Sequence, residues 1–126
     1  MKTINKKRVL YGLAIIVLLQ GCAEVLEKDL SKEKVQLVAP SNGISAPDSV
    51  ALTFAWDSLD GASQYRLQIA SPSFDSIVQL IADTPVAGMF LSLPAFTIAG
   101  KYQWRVMASN TSSSSPYSAP WTFTIQ

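Results

Sequence analysis

Histidine is absent from this chain, cysteine occurs once, and only 15% of the residues are charged. Without histidine, the commonest general base and the commonest neutral metal ligand are both missing. A single cysteine, Cys22, excludes any disulfide within the chain. Long apolar runs are missing too. Val9 to Leu19 is eleven residues, which as a helix reaches only ~16 Å against a hydrocarbon core of about 30 Å. Basic residues are scarce where they would matter. From Cys22 onward six Lys+Arg face nine Asp+Glu, a net charge of −3. From Val35 only Arg66, Lys101 and Arg105 remain, against Asp48, Asp57, Asp60, Asp75 and Asp83. No basic patch exists, so nucleic acid is not expected as a partner. The carboxylates stand apart from one another. Asp57 and Asp60 bracket a turn before Gly61, where aspartate has an ordinary turn-forming role. A glycosidase pair would need two carboxyls across one cleft, and a calcium site would need more oxygen ligands than this loop offers. The expectation is a chain with no catalytic residue, no metal ligand and no cofactor: not an enzyme.

What is present at the N-terminus has a definite order. Lys2, Lys6, Lys7 and Arg8 precede the apolar run, which closes on Leu19-Gln20-Gly21-Cys22. This order resembles a bacterial lipoprotein signal, although Gln20 stands where a small or aliphatic residue is usual. The resemblance implies removal of residues 1–21 and lipid attachment at Cys22, the only covalent group expected. It also implies a membrane partner. Ala23, rather than aspartate, follows the cysteine, which by the same resemblance favours the outer membrane and leaves the leaflet undecided. One acyl chain binds a membrane only marginally, so the two or three chains of such a modification make the anchor permanent. Residues 22–34 are rich in Glu, Lys and Asp, with a sparse apolar set of Val25, Leu26 and Leu30. They read as a solvated, lipidated tether.

From Val35 to Gln126 the pattern becomes short alternating runs between turn residues. Val50, Leu52, Phe54 and Trp56 share one face; so do Tyr65, Leu67 and Ile69; Tyr102, Trp104, Val106 and Ala108; and Trp121, Phe123 and Ile125. Period two marks strands with one buried and one wet face. Less regular runs at Val35–Val38, Ser76–Ile81 and Met89–Leu93 bring the expected count to about seven. Breaks such as Pro40-Ser41-Asn42-Gly43 and Asp60-Gly61 recur at the spacing of an all-β sandwich. Trp56, Tyr65-Arg66-Leu67-Gln68-Ile69, Gly100-Lys101-Tyr102-Gln103-Trp104-Arg105-Val106 and Pro120-Trp121-Thr122-Phe123-Thr124-Ile125 resemble, in order and spacing, the fibronectin type III domain. The resemblance covers 35–126 and implies a seven-stranded immunoglobulin-like β-sandwich. It also implies a tyrosine corner at Tyr102, whose hydroxyl would bond the backbone upstream. The missing cysteine pair suits this family and argues against an antibody-like domain.

Trp56, Trp104 and Trp121 fall on inward sets and are expected in the core. Tyr117 reads as exposed, and Ser112–Ser115 as a flexible loop before the last strand, of the kind a rigid scaffold displays for recognition. The function implied is a non-catalytic module that docks on a protein partner in the cell envelope, with strand addition at a sheet edge the simplest mode. The alternative is a carbohydrate-binding surface lipoprotein for glycan capture or adhesion. Asp48-Ser49-Val50, Asp57-Ser58-Leu59 and Asp75-Ser76-Ile77 each resemble an Asp-Ser/Thr-aliphatic motif of bacterial protein O-glycosylation, which makes Ser49, Ser58 and Ser76 candidate acceptors. Intact-mass spectrometry tests this: sugar increments above the lipidated chain are expected, and an unmodified polypeptide beyond Cys22 removes the idea.

Overall fold

The computed structural model describes residues 27–126. Eight strands follow one another: β1 (Leu37–Ala39), β2 (Ile44–Ala46), β3 (Leu52–Trp56), β4 (Gln64–Pro72), β5 (Ile77–Val86), β6 (Phe90–Leu93), β7 (Gly100–Ser109) and β8 (Trp121–Ile125). They form two sheets, a small one in the order β1-β3-β6 and a large one in the order β2-β8-β7-β4-β5. Every pairing is antiparallel except β2 with β8. The architecture is an all-β sandwich.

Alternation explains why these segments pair as they do. In β7, Tyr102, Trp104, Val106 and Ala108 are buried, while Gln103, Arg105 and Met107 face outward between them. β4 buries Tyr65, Leu67 and Ile69 opposite Ala108, Val106 and Trp104. From the small sheet Phe54 enters this surface, its ring 5.2 Å from Trp104 and 5.6 Å from Phe123. Tilted and edge-on aromatic contacts add specificity to burial. The Tyr102 ring stacks on Phe123 at 5.2 Å, and its hydroxyl donates to the Ile98 carbonyl at 2.6 Å. That bond ties residues 94–99, the β6–β7 connection, to the large sheet.

Several expectations change. Eight strands replace about seven, because Ile44–Ala46 pairs in parallel with Phe123–Ile125. No local alternation marks so short a strand; it is held by β8 and by Asn42, whose Oδ1 accepts the Thr122 amide at 2.8 Å. Val50 is not on the buried face of β3. It lies before the strand and is 46% exposed. β5 runs on to Val86, past the expected end at Ile81. Trp121 is half-buried, edge-on to Trp104 at 6.1 Å.

The largest change lies at 27–34, expected as part of a solvated tether. Leu30 is fully buried in the core cluster. Its amide donates to Ser113 Oγ at 3.0 Å, across 83 residues of chain. A buried apolar side chain and a long-range amide bond thus dock a segment whose composition is otherwise polar.

Leu30→Ala should lower stability by about 2–4 kcal/mol, the range for emptying a buried leucine site. Tyr102→Phe should cost about 1 kcal/mol through its lost hydrogen bond. Urea unfolding midpoints decide both. An unchanged midpoint for Leu30→Ala would mean that the segment is a free tether after all.

Candidate functional site

Three surfaces carry side chains that core packing does not use. The first is the free edge of the large sheet. A sheet edge presents unpaired N–H and C=O groups, which proteins blunt by keeping edge strands short or by placing charge and proline on them. β1, β2 and β6 are edge strands of three, three and four residues. β5 has ten residues and pairs only with β4. Its later half carries Asp83 and Pro85, whereas Ile77-Val78-Gln79-Leu80-Ile81 has neither charge nor proline. Two register shifts on the β4–β5 ladder, at Ile69/Ala70 and Ser71/Pro72, spoil the alternation here. As a result Ile77 is 49%, Val78 84% and Leu80 47% exposed. Beside this edge, β5 and the β6–β7 connection leave a groove of about 320 Å³ between the two sheets, lined mainly by Ile81, Leu93, Phe96 and Ile98.

The second surface is the outer face of the large sheet. Arg105 projects outward from β7, its guanidinium 4.0 Å from the Phe74 ring centre and 4.4 Å from that of Tyr117. Its Nε donates to Gln68 Oε1 at 2.9 Å. Arg66 Nε donates to Asp83 Oδ1 at 2.6 Å. That hydrogen bond holds the Asp83 carboxyl below the usual carboxylate range. Burial, reinforced by the Asp83 charge, pushes the Tyr117 phenol up.

The third surface is the end of the sandwich where the β3–β4 and β7–β8 loops meet. The serine-rich stretch there, expected to be flexible, is extensively hydrogen-bonded. The Ser115 and Ser118 hydroxyls accept the Ala108 and Val106 amides at 2.9 and 3.1 Å, and both serines are buried. Asn110 Oδ1 accepts the Ser112 and Ser113 amides at 3.0 and 2.8 Å.

The candidate residues named from the sequence do not converge. Cys22 lies outside the described residues. Ser49, Ser58 and Ser76 are exposed in three different loops, after β2, β3 and β4. Tyr117 is half-buried against Arg105 rather than free. Asp57 and Asp60 are both exposed, and Asp60 lies 3.5 Å from the Lys28 ammonium. Among the described residues no group of three or more His, Cys, Asp or Glu is placed to hold a metal ion. Trp56 and Trp104 are core residues whose indole N–H groups have no hydrogen-bond partner there. Sequence reasoning missed the Phe74–Arg105–Tyr117 stack, because its members come from separate turns and a strand. The open β5 edge did leave a signal: period two breaks down over Ser76–Ile81.

No protein-family profile and no curated protein matches the chain by sequence. Solved structures do match. The fibronectin type III domain of human fibronectin type III domain containing protein 3 superposes with a TM-score of 0.51 at 17% identity, covering 78% of this chain and 89% of that one. The fibronectin type III domain of human collagen alpha-1(XX) chain gives 0.51 at 13% identity, over 72% of this chain and 79% of that one. The fold is that of fibronectin type III domains.

Asp83 provides a pH test of the outer face. Its carboxyl is depressed in the folded state, so the unfolded chain takes up the proton first as pH falls. The pair's stabilisation is present above about pH 4 and is lost as pH drops through the folded value. Both partners are substantially exposed, so the effect should be small. Thermal midpoints between pH 2 and 5 should fall less steeply in Asp83→Asn than in the parent chain. Parallel curves would mean that the Arg66 bond is not formed.

Proposed function

We propose that this chain is an outer-membrane lipoprotein, anchored through Cys22, whose sandwich is a non-catalytic interaction module. It takes an extended segment of an envelope protein onto β5. The observation that carries the reading is the unguarded half of β5. A ten-residue edge with Ile77, Val78 and Leu80 exposed beside an apolar groove offers backbone groups for strand addition and pockets for alternate side chains. The other three edges are too short to template a strand. Large apolar exposure of this kind marks a binding surface or an aggregation hazard, and a surface protein must manage the second.

Glycan capture receives less support from the same geometry. Sugar platforms need open aromatic faces, yet Phe74 and Tyr117 both pack against Arg105 and are half-buried. The tryptophans are largely taken up by the core.

A photo-crosslinking residue placed at Val78 of the full chain, in cells, should join it to one abundant envelope protein. The same residue at Thr53, exposed on the outer face of the small sheet, should not. Val78→Lys should abolish the crosslinked partner's co-purification without moving the melting midpoint. Cys22→Ala should move the chain out of the membrane fraction. Equal crosslinking from both positions would rule out β5 as the docking edge.

A further inference from the structure

Residues 27–33, ahead of β1, do more than lead into the domain. Side chains and backbone groups of residues 27–30 engage the loop end in a connected set of hydrogen bonds, which includes the Leu30 amide on Ser113 Oγ. The Glu27 carboxylate accepts from Thr111 Oγ1 at 2.8 Å and from Ser112 Oγ at 3.0 Å. Those bonds hold its carboxyl below the ordinary range. The Lys28 carbonyl accepts from Asn110 Nδ2 at 2.8 Å and from Ser113 Oγ at 3.3 Å. Asn110 Nδ2 also donates to the Gly61 carbonyl at 3.1 Å, so one amide joins segment, β3–β4 turn and β7–β8 loop. Gly61 has φ +87, and a Cβ there would come within 2.8 Å of Lys28 Cβ. The positive φ and the Lys28 side chain packed over this position both call for glycine. Beneath these bonds Leu30 is fully buried.

We infer that residues 27–33 form a clasp that closes the β3–β4 and β7–β8 loop end and turns that end toward the point of membrane attachment. The orientation rests on the anchor reading above. Cys22 and Glu27 are five residues apart, a span of at most about 18 Å however the intervening chain runs. The loop end is thus held near the bilayer, with its polar groups spent on the clasp. The start of β5, the Ile98 side of the groove and the β4–β5 turn lie at the other end of the strands. With nine residues in β4, that end is ~30 Å further out. The consequence is a division of labour: the loop end attaches, and the β5 end is the surface offered to partners.

Two measurements on the full-length acylated chain test this. Hydrogen exchange reads the clasp. The Leu30, Ser112 and Ser113 amides should exchange at least about tenfold more slowly than in an unstructured chain. Ser113→Ala, which removes the acceptor of the Leu30 amide, should speed Leu30 by a similar factor and leave β4 and β7 amides unchanged. Exchange of Leu30 at the unstructured rate in the parent chain would overturn the clasp. Orientation is read in vesicles carrying nitroxide-labelled headgroups. Because Cys22 is acylated, Asp57→Cys and Asp75→Cys each introduce one free thiol, in exposed loops at opposite ends of β4. A fluorophore at position 57 should be quenched several-fold more than one at 75. Equal or reversed quenching on membrane-bound protein would overturn the orientation and leave the anchor reading intact. A chain that carries no acyl group and fails to bind vesicles would overturn the anchor and the orientation together, with exchange at Leu30 still deciding the clasp.

Discussion

Phe54 is the residue on which the two sheets depend. It is fully buried, comes from the middle strand of the small sheet, and meets Trp104 and Phe123 of the large sheet and Phe96 of the β6–β7 connection. Two sheets pack about 10 Å apart only if side chains from both fill the gap. Here Phe54 is an aromatic wedge set into an aromatic pocket, with Leu52 and Trp56 of the same strand filling the gap on either side of it. The Tyr102–Phe123 stack extends the pocket, and the Tyr102 hydroxyl pins the connection that carries Phe96. Packing thus determines where the groove lies: the same connection that closes the core beneath Phe96 forms the groove wall above it.

The sandwich was legible because its central strands are half-buried and therefore alternate. The centres of β3, β4, β7 and β8 could be read from period two alone, whereas their ends could not: Val50 falls outside β3, Trp121 is half-buried, and β4 runs on to Pro72. What could not be read depended on partners distant in the chain. β2 is three residues after a turn, with nothing local to distinguish it from loop. The outer half of β5 loses alternation because the bulged ladder exposes successive residues. Leu30 sits among charged neighbours, and it is buried by packing on core residues far from it in the chain. The serine-rich stretch looked like a flexible loop by composition, yet β7 amides take its hydroxyls. Composition reports what a segment prefers in isolation; these segments are decided by what they meet.

The surfaces divide along the same line. Polar groups are concentrated at the loop end and on the outer face of the large sheet, where they bond one another. The first half of β5 instead exposes three large apolar side chains in four residues, Ile77, Val78 and Leu80, beside a groove whose lining includes the exposed Ile98; Val38, Val50, Met89 and Phe90 are exposed elsewhere. Satisfied polar clusters are poor partners, since binding would have to break bonds already made. An unpaired edge has bonds still to make.

The clasp also constrains the order in which the molecule can be completed. Leu30 precedes every strand, but the Ser113 hydroxyl that receives its amide comes after seven of the eight. A chain emerging N-terminus first must therefore carry Leu30 without its Ser113 partner until nearly all of it has been made. Hairpins such as β4–β5 close over four residues and can form early, since short loops close at little entropic cost. The N-terminal segment, first to appear, is among the last to settle. During that interval an apolar residue of the N-terminal segment stands open to whatever machinery handles the nascent protein.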